Sequence, residues 1–170
     1  EKAGIIKENT PVISGDDNEA VKTIIANKAK EKNTEFIDAT TINSDLKSDL
    51  KGNYQKKNIK VVLALIHELK NLGVQIFEKN IQAGLLNVQK NTNFLGRWYE
   101  FSKNPLTICD TGHNQAGLEE VFAQLNALPE HKHIILGFVN DKSIVSLLPI
   151  FIPFIQKYIL LLSYSHKTLY

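Results

Sequence analysis

Leu106-Thr-Ile-Cys-Asp110, followed by Thr111-Gly-His-Asn114, is an apolar strand that runs into an acid, then a polar turn, then the amphipathic stretch Gln115 to Leu128. In open α/β folds, ligands sit at the carboxyl ends of strands, so Asp110 and His113 stand where a site is expected. A second reading stays open beside it. An Asp or Asn between a strand and a helix also serves as a helix N-cap.

Outward from this stretch, Leu118, Val121, Phe122, Leu125 and Leu128 recur at helical spacing and are expected to face inward. Trp98 to Phe101 reads as a strand before it. Ile134 to Val139 reads as a buried strand after it, Ser143 to Phe151 as a helix and Tyr158 to Ser163 as a further buried strand. Alternation with short connections predicts a parallel, Rossmann-like sheet over this half of the chain.

Toward the N-terminus, Pro11-Val-Ile-Ser14 and Phe36-Ile-Asp38 read as short strands. They flank a helix whose Val21, Ile24 and Ile25 share a face and whose Lys28, Lys30 and Lys32 suit its C-terminal turn. Thr40 to Gln55 reads as loop or weak hairpin. Ile59, Val62, Leu63, Ile66 and Leu69 define a helix from Lys57 to Leu72, ended by Gly73. A second helix, Glu78 to Val88, precedes the polar run Gln89 to Asn93. That run is read as a break in the pattern and the place of a domain boundary, giving domains 1–95 and 96–170.

The composition narrows the function classes. An apolar fraction of 43% over 170 residues supports a real core, and a net charge of +2 with scattered lysines leaves no nucleic-acid footprint. The apolar stretch Ile144 to Leu162 is interrupted by Pro149, Pro153, Gln156 and Lys157, so no membrane span is expected. The lone Cys109 cannot form an internal disulfide. It is read as a buried thiol in a reducing cytoplasm. The chain has no methionine, which suggests a fragment, and no leader segment is expected.

Among candidate groups, Arg97 in Gly96-Arg97-Trp98 offers a planar fork of donors suited to phosphate or carboxylate, or else a salt bridge. Trp98 reads as a core or interface anchor. Asp141-Lys142 follows a strand at the sheet edge that also carries Asp110, although Asn140-Asp141 would equally serve a turn. His67 reads as a surface histidine. His131 and His133 lack further donors at metal-ligand spacing. No G-x-x-x-x-G-K-[ST] phosphate loop occurs among the nine glycines.

Taken in order, EKAGIIK (Glu1 to Lys7), YQKKNIKVVLAL (Tyr54 to Leu65), GRW (Gly96 to Trp98), ICDTGHNQ (Ile108 to Gln115) and GFVNDKS (Gly137 to Ser143) resemble the folylpolyglutamate synthase / dihydrofolate synthase family of the Mur ligase superfamily. The resemblance covers roughly Glu1 to Ile155 and is nearest to the bacterial bifunctional form. It implies an ATP-dependent ligase that joins L-glutamate to a pteroate or folate carboxylate through an acyl phosphate, working with magnesium, in the cytoplasm, as a monomer when full length. The fold implied is α/β: the end of a Mur-ligase central ATPase domain followed by an incomplete Rossmann-like C-terminal domain. The phosphate loop would lie upstream, and this chain alone is expected to have no ligase activity.

Residue by residue, Lys2 matches the lysine that becomes carbamylated, a change that turns a cation into a carboxylate-like magnesium ligand. Asn58 matches the asparagine facing adenine, with Gln55 a weaker candidate. Arg97 matches the arginine that reaches the ATP phosphates from the second domain. Asp110 matches an acid contacting the nucleotide, with ribose hydroxyls its natural partners, and His113 stands beside it. Gln115 departs from the usual proline after His-Asn, and Ser143 from the usual acid. Beyond Ile155 the resemblance fades. Two other readings are a peptidoglycan-precursor Mur ligase, against which EKAGIIK argues, and a non-catalytic Rossmann-like module that binds a nucleotide or a protein.

Overall fold

The computed structural model describes residues 2–129, 131–139, 147–151 and 157–163. The chain is mixed α/β and divides into two compact units, Glu1–Phe94 and Leu95–Tyr170.

In the first unit a 3-10 turn, Lys2–Ile5, leads to strand β1 (Val12–Ser14), helix α1 (Glu19–Glu31) and strand β2 (Phe36–Asp38). The strands pair in parallel, Val12 opposite Phe36 and Ser14 opposite Asp38, so α1 is a crossover connection. Asn18 starts α1: its Oδ1 accepts the N–H groups of Ala20 and Val21 at 2.9 and 3.3 Å. Glu19 in the first turn and Lys28 and Lys30 in the last complement the helix dipole.

Helix α2 (Gln55–Asn71) stops before Gly73, whose φ of +89° is a backbone conformation that glycine adopts without penalty. Helix α3 (Glu78–Leu85) packs on it: Ile59, Ile81 and Leu85 form a buried cluster, and Leu46, Leu63, Ile66 and Ile76 lie against it. Val62, which shares the apolar period of α2, falls outside this cluster and is 38% exposed.

The polar run Gln89 to Asn93 ends beside the division between the two units, at Phe94 and Leu95, yet it is not loop. It lies largely in a short helix, α4 (Val88–Thr92), ended by Asn93 in the left-handed conformation. What organises it comes from forty residues away. The Asp49 carboxylate accepts the Gln89 N–H at 2.9 Å, near the start of the helix, and Gln89 Nε2 donates to the Asp49 carbonyl at 2.8 Å. A local window of sequence cannot show such a tertiary cap.

The second unit opens with strands β3 (Tyr99–Lys103) and β4 (Leu106–Cys109), which pair antiparallel with a bulge between Glu100 and Ser102. A parallel sheet is therefore not what these strands form. Only Asn104 and Pro105 join them, too short a link for a parallel crossover, which needs a dozen or more residues. Helix α5 (Gln115–Asn126) follows, then β5 (His133–Val139), α6 (Leu148–Phe151) and β6 (Lys157–Ser163). Here the expected parallel pairing occurs, Ile134 opposite Tyr158 and Phe138 opposite Leu162. Of the helix read at Ser143 to Phe151, residues 143–146 lie outside the described residues.

Leu118, Phe122 and Leu147 are the buried cluster of this unit, with Leu125, Ile134, Leu136 and Ile150 against it. Cys109 is exposed, not buried. A two-stranded hairpin does not cover every apolar side chain along it, and Leu106, at the other end of β4, is exposed as well.

Candidate functional site

In the second unit, residues 96–98 and 110–112 are clasped together. The Asp110 carboxylate accepts two backbone N–H groups: Oδ2 that of Trp98 at 2.8 Å and Oδ1 that of Gly112 at 2.7 Å. Trp98 needs such a hold. It is only 5% exposed and has a φ of +50°, and the left-handed region costs a residue with a Cβ roughly 1–2 kcal/mol. The indole at this corner is buried.

The next residue closes the clasp. Thr111 N–H and Thr111 Oγ1 both donate to the Gly96 carbonyl, at 3.0 and 2.8 Å. Arg97 Nη1 donates to Thr111 Oγ1 and, at 3.2 Å, to the Gly96 carbonyl. The two chain segments lie so close that a Cβ on Gly96 would come within 2.8 Å of Thr111 Cγ2. Glycine is what this approach requires.

His113 Nδ1 lies 3.1 Å from the Thr111 carbonyl, with the ring exposed. Asn114, not Asp110, is the N-cap of α5, accepting the Gly117 N–H at 2.8 Å. The two readings of the strand-end acid thus separate: capping falls to Asn114, and Asp110 organises the turn. Beside Asp110 and Gly112 opens an apolar-walled cleft of about 430 Å³, lined in part by Ile108, Leu118, Phe122 and Ile134. The arrangement presents a guanidinium, a carboxylate and an imidazole around one turn. That combination can hold an anion and hydroxyl groups together.

Arg97, Asp110 and His113 are therefore brought to one place. Asn58 and Gln55 are brought to another, the first turn of α2 in the first unit, where Asn58 Nδ2 donates to the Gln55 Oε1 at 2.9 Å and Gln55 is buried. Lys2 begins the 3-10 turn at the start of that unit. Asp141, Lys142 and Ser143 lie outside the described residues. Thr111 escaped the sequence reading. Its signal was there, immediately after a strand-end acid, but a threonine in a turn has no chemistry of its own until Arg97 is seen against it.

A second polar cluster was also missed. Lys22 Nζ lies 2.9 Å from both Asp38 and Glu19 and donates to Thr40 Oγ1 at 3.0 Å. The Thr40 hydroxyl in turn donates to Asp38 at 2.6 Å. Thr40 first, and Lys22 second, hold the Asp38 carboxyl below its ordinary value. Asp38 and then Glu19 raise that of Lys22. The cluster ties α1 to β2 and reads as structural.

No protein-family model and no curated protein matches the sequence. Solved structures do resemble it. A folylpolyglutamate synthetase (FPGS) complex with AMPPCP and folate superposes with a TM-score of 0.78 at 20% identity, over 92% of this chain and 43% of that one. The apo form of Lactobacillus casei FPGS gives 0.72 at 20% identity, over 94% and 43%. Escherichia coli FolC in complex with DHPP and ADP gives 0.71 at 24% identity, over 93% and 40%. The chain thus has the fold of part of these enzymes and spans about two fifths of their length.

Proposed function

We propose that this chain is part of an ATP-dependent amide ligase of the folylpolyglutamate synthase / dihydrofolate synthase type, adding L-glutamate to a pteroate or folate carboxylate. Residues 1–95 are read as the end of the central ATPase domain and 96–170 as the C-terminal Rossmann-like domain. The observation that carries the proposal is the clasp: GRW and CDTGHN, recognised separately in sequence, lie against one another in a fold shared with FPGS and FolC.

In this reaction ATP activates the substrate carboxylate as an acyl phosphate, which the glutamate amine then attacks. Arg97 is assigned to the phosphate oxygens, where a fixed guanidinium offsets the charge that develops in phosphoryl transfer. Asp110 is assigned to ribose hydroxyls, whose protons a carboxylate is suited to accept. His113 borders the same turn. Asn58, oriented by Gln55, is assigned to adenine. Magnesium prefers hard oxygen donors, and a carbamylated Lys2 would supply them. Among the described residues no set of three or more His, Cys, Asp or Glu side chains converges. Among the same residues no helix is long and apolar enough to cross a membrane.

The test is a titration of ATP against the chain joined to an upstream segment carrying a phosphate loop, compared with its Arg97→Ala and Asp110→Ala forms. Both substitutions are expected to weaken binding and to reduce glutamate-dependent ADP release. Unchanged affinity and turnover in both would remove the site assignment. The chain without that segment is expected to release no ADP in the same assay, since positioning is most of phosphoryl-transfer catalysis.

A further inference from the structure

We infer that Thr111 is a positioning residue that fixes the guanidinium of Arg97, an inference that rests on the proposed phosphate role of Arg97. A threonine hydroxyl has one proton and two lone pairs. Here the proton goes to the Gly96 carbonyl, at 2.8 Å, which leaves the oxygen to accept from Arg97 Nη1. The direction of both bonds is thereby set. Nη1 also donates to the Gly96 carbonyl, so one nitrogen of the fork is held at two points.

The anchor is itself rigid. Thr111 N–H donates to the same Gly96 carbonyl, and the neighbouring Asp110 grips Trp98 on the far side of Arg97. Arginine therefore leaves the backbone from a corner fixed both before and after it, and its tip is held by the residue that fixes the corner. A long side chain held in this way loses less rotamer freedom on meeting an anion, and pre-organisation of that kind appears as affinity. The Thr111 hydroxyl bonds to Arg97 and Gly96, not to a reacting group. It acts through Arg97.

The experiment uses the full chain and, for the nucleotide arm, the chain joined to the phosphate-loop segment, with ATP as the probe. Thr111→Val keeps the shape and removes the hydroxyl; Thr111→Ser keeps the hydroxyl. In the full chain, nuclear magnetic resonance of the Arg97 guanidinium is expected to show slowed rotation in the wild type and Thr111→Ser, and faster rotation in Thr111→Val. Equal rotation in all three overturns the inference without reference to nucleotide.

In the nucleotide arm, Thr111→Val is expected to weaken ATP binding by roughly two- to tenfold, the cost of ordering one long side chain at the moment of binding. Thr111→Ser should restore it, and Thr111→Val should have no further effect once Arg97 is alanine. A role in stability alone would add in both backgrounds. If Arg97→Ala weakens binding and Thr111→Val does not, or strengthens it, Thr111 does not position Arg97 for the ligand. If Arg97→Ala leaves ATP binding unchanged while the rotation difference is present, it is the phosphate role of Arg97 that fails.

Discussion

Replacing Asp110 should loosen the second unit by an amount set by its bonds to the backbone N–H groups of Trp98 and Gly112. Each joins a carboxylate oxygen to a backbone N–H, at 2.8 Å to Trp98 and 2.7 Å to Gly112. Hydrogen bonds to charged groups contribute about 1.5–3 kcal/mol each. Asp110 is half-buried, so water takes over part of the role, and the low end applies. Against the loss stands relaxation of Trp98, whose left-handed backbone costs roughly 1–2 kcal/mol and is no longer enforced. Asp110→Ala is then expected to cost about 2 kcal/mol and Asp110→Asn, which keeps one acceptor oxygen, about 1 kcal/mol. Trp98 is the chain's one tryptophan and is buried in this unit, so its fluorescence reports this unit. With a urea dependence of about 1 kcal/mol per molar, the midpoint should fall by roughly 2 M for alanine and roughly 1 M for asparagine. A midpoint for Asp110→Ala within about 0.3 M of the wild type would refute the reasoning. So would an asparagine variant as unstable as the alanine one, since the two bonds would then not be separable.

Gly96→Ala should cost about 1–3 kcal/mol by the same fluorescence assay, because its Cβ meets Thr111 Cγ2 at 2.8 Å, and adding Thr111→Ser should recover part of that cost. In the first unit, Asp38 has a lowered carboxyl value, so its stabilisation is fully present above about 3.9 and disappears as pH falls through the lower folded value. Thermal unfolding followed by circular dichroism should therefore show a shallower acid limb in Asp38→Asn than in the wild type. Ile81→Ala, at the centre of the α2–α3 cluster and 5% exposed, should lower the stability of the first unit by about 2–4 kcal/mol in denaturant unfolding followed by circular dichroism.

The helices were legible because their signals are local. Gly73 and the apolar period of α2 lie within a few residues of what they determine, and so does the packed face Leu118, Val121 and Phe122 of α5. The misreadings share the opposite property. The short helix at Val88–Thr92 is organised by Asp49, forty residues earlier. The antiparallel turn of β3 onto β4 was open to inference from its two-residue link, but alternation of strand and helix across the whole half outweighed it. Cys109 was misplaced because an apolar run does not say which of its side chains are covered.

The site shows the same division at finer scale. Sequence could pick out Arg97 and Asp110 as chemically suited to an anion and to hydroxyls, because guanidinium and carboxylate carry their chemistry wherever they stand. It could not say that Asp110 is first a structural residue, holding the backbone of Trp98, since a hydrogen bond to a main-chain N–H leaves no trace in residue type. Nor could it see that Thr111 joins the two. The consequence is that Asp110 and Arg97 are not independent members of a site. Asp110 fixes the corner from which Arg97 leaves the chain, so substituting the acid disturbs the cation, and a loss of nucleotide affinity in Asp110→Ala cannot by itself be assigned to a ribose contact. Only the portion that survives in an Arg97→Ala background belongs to Asp110 alone.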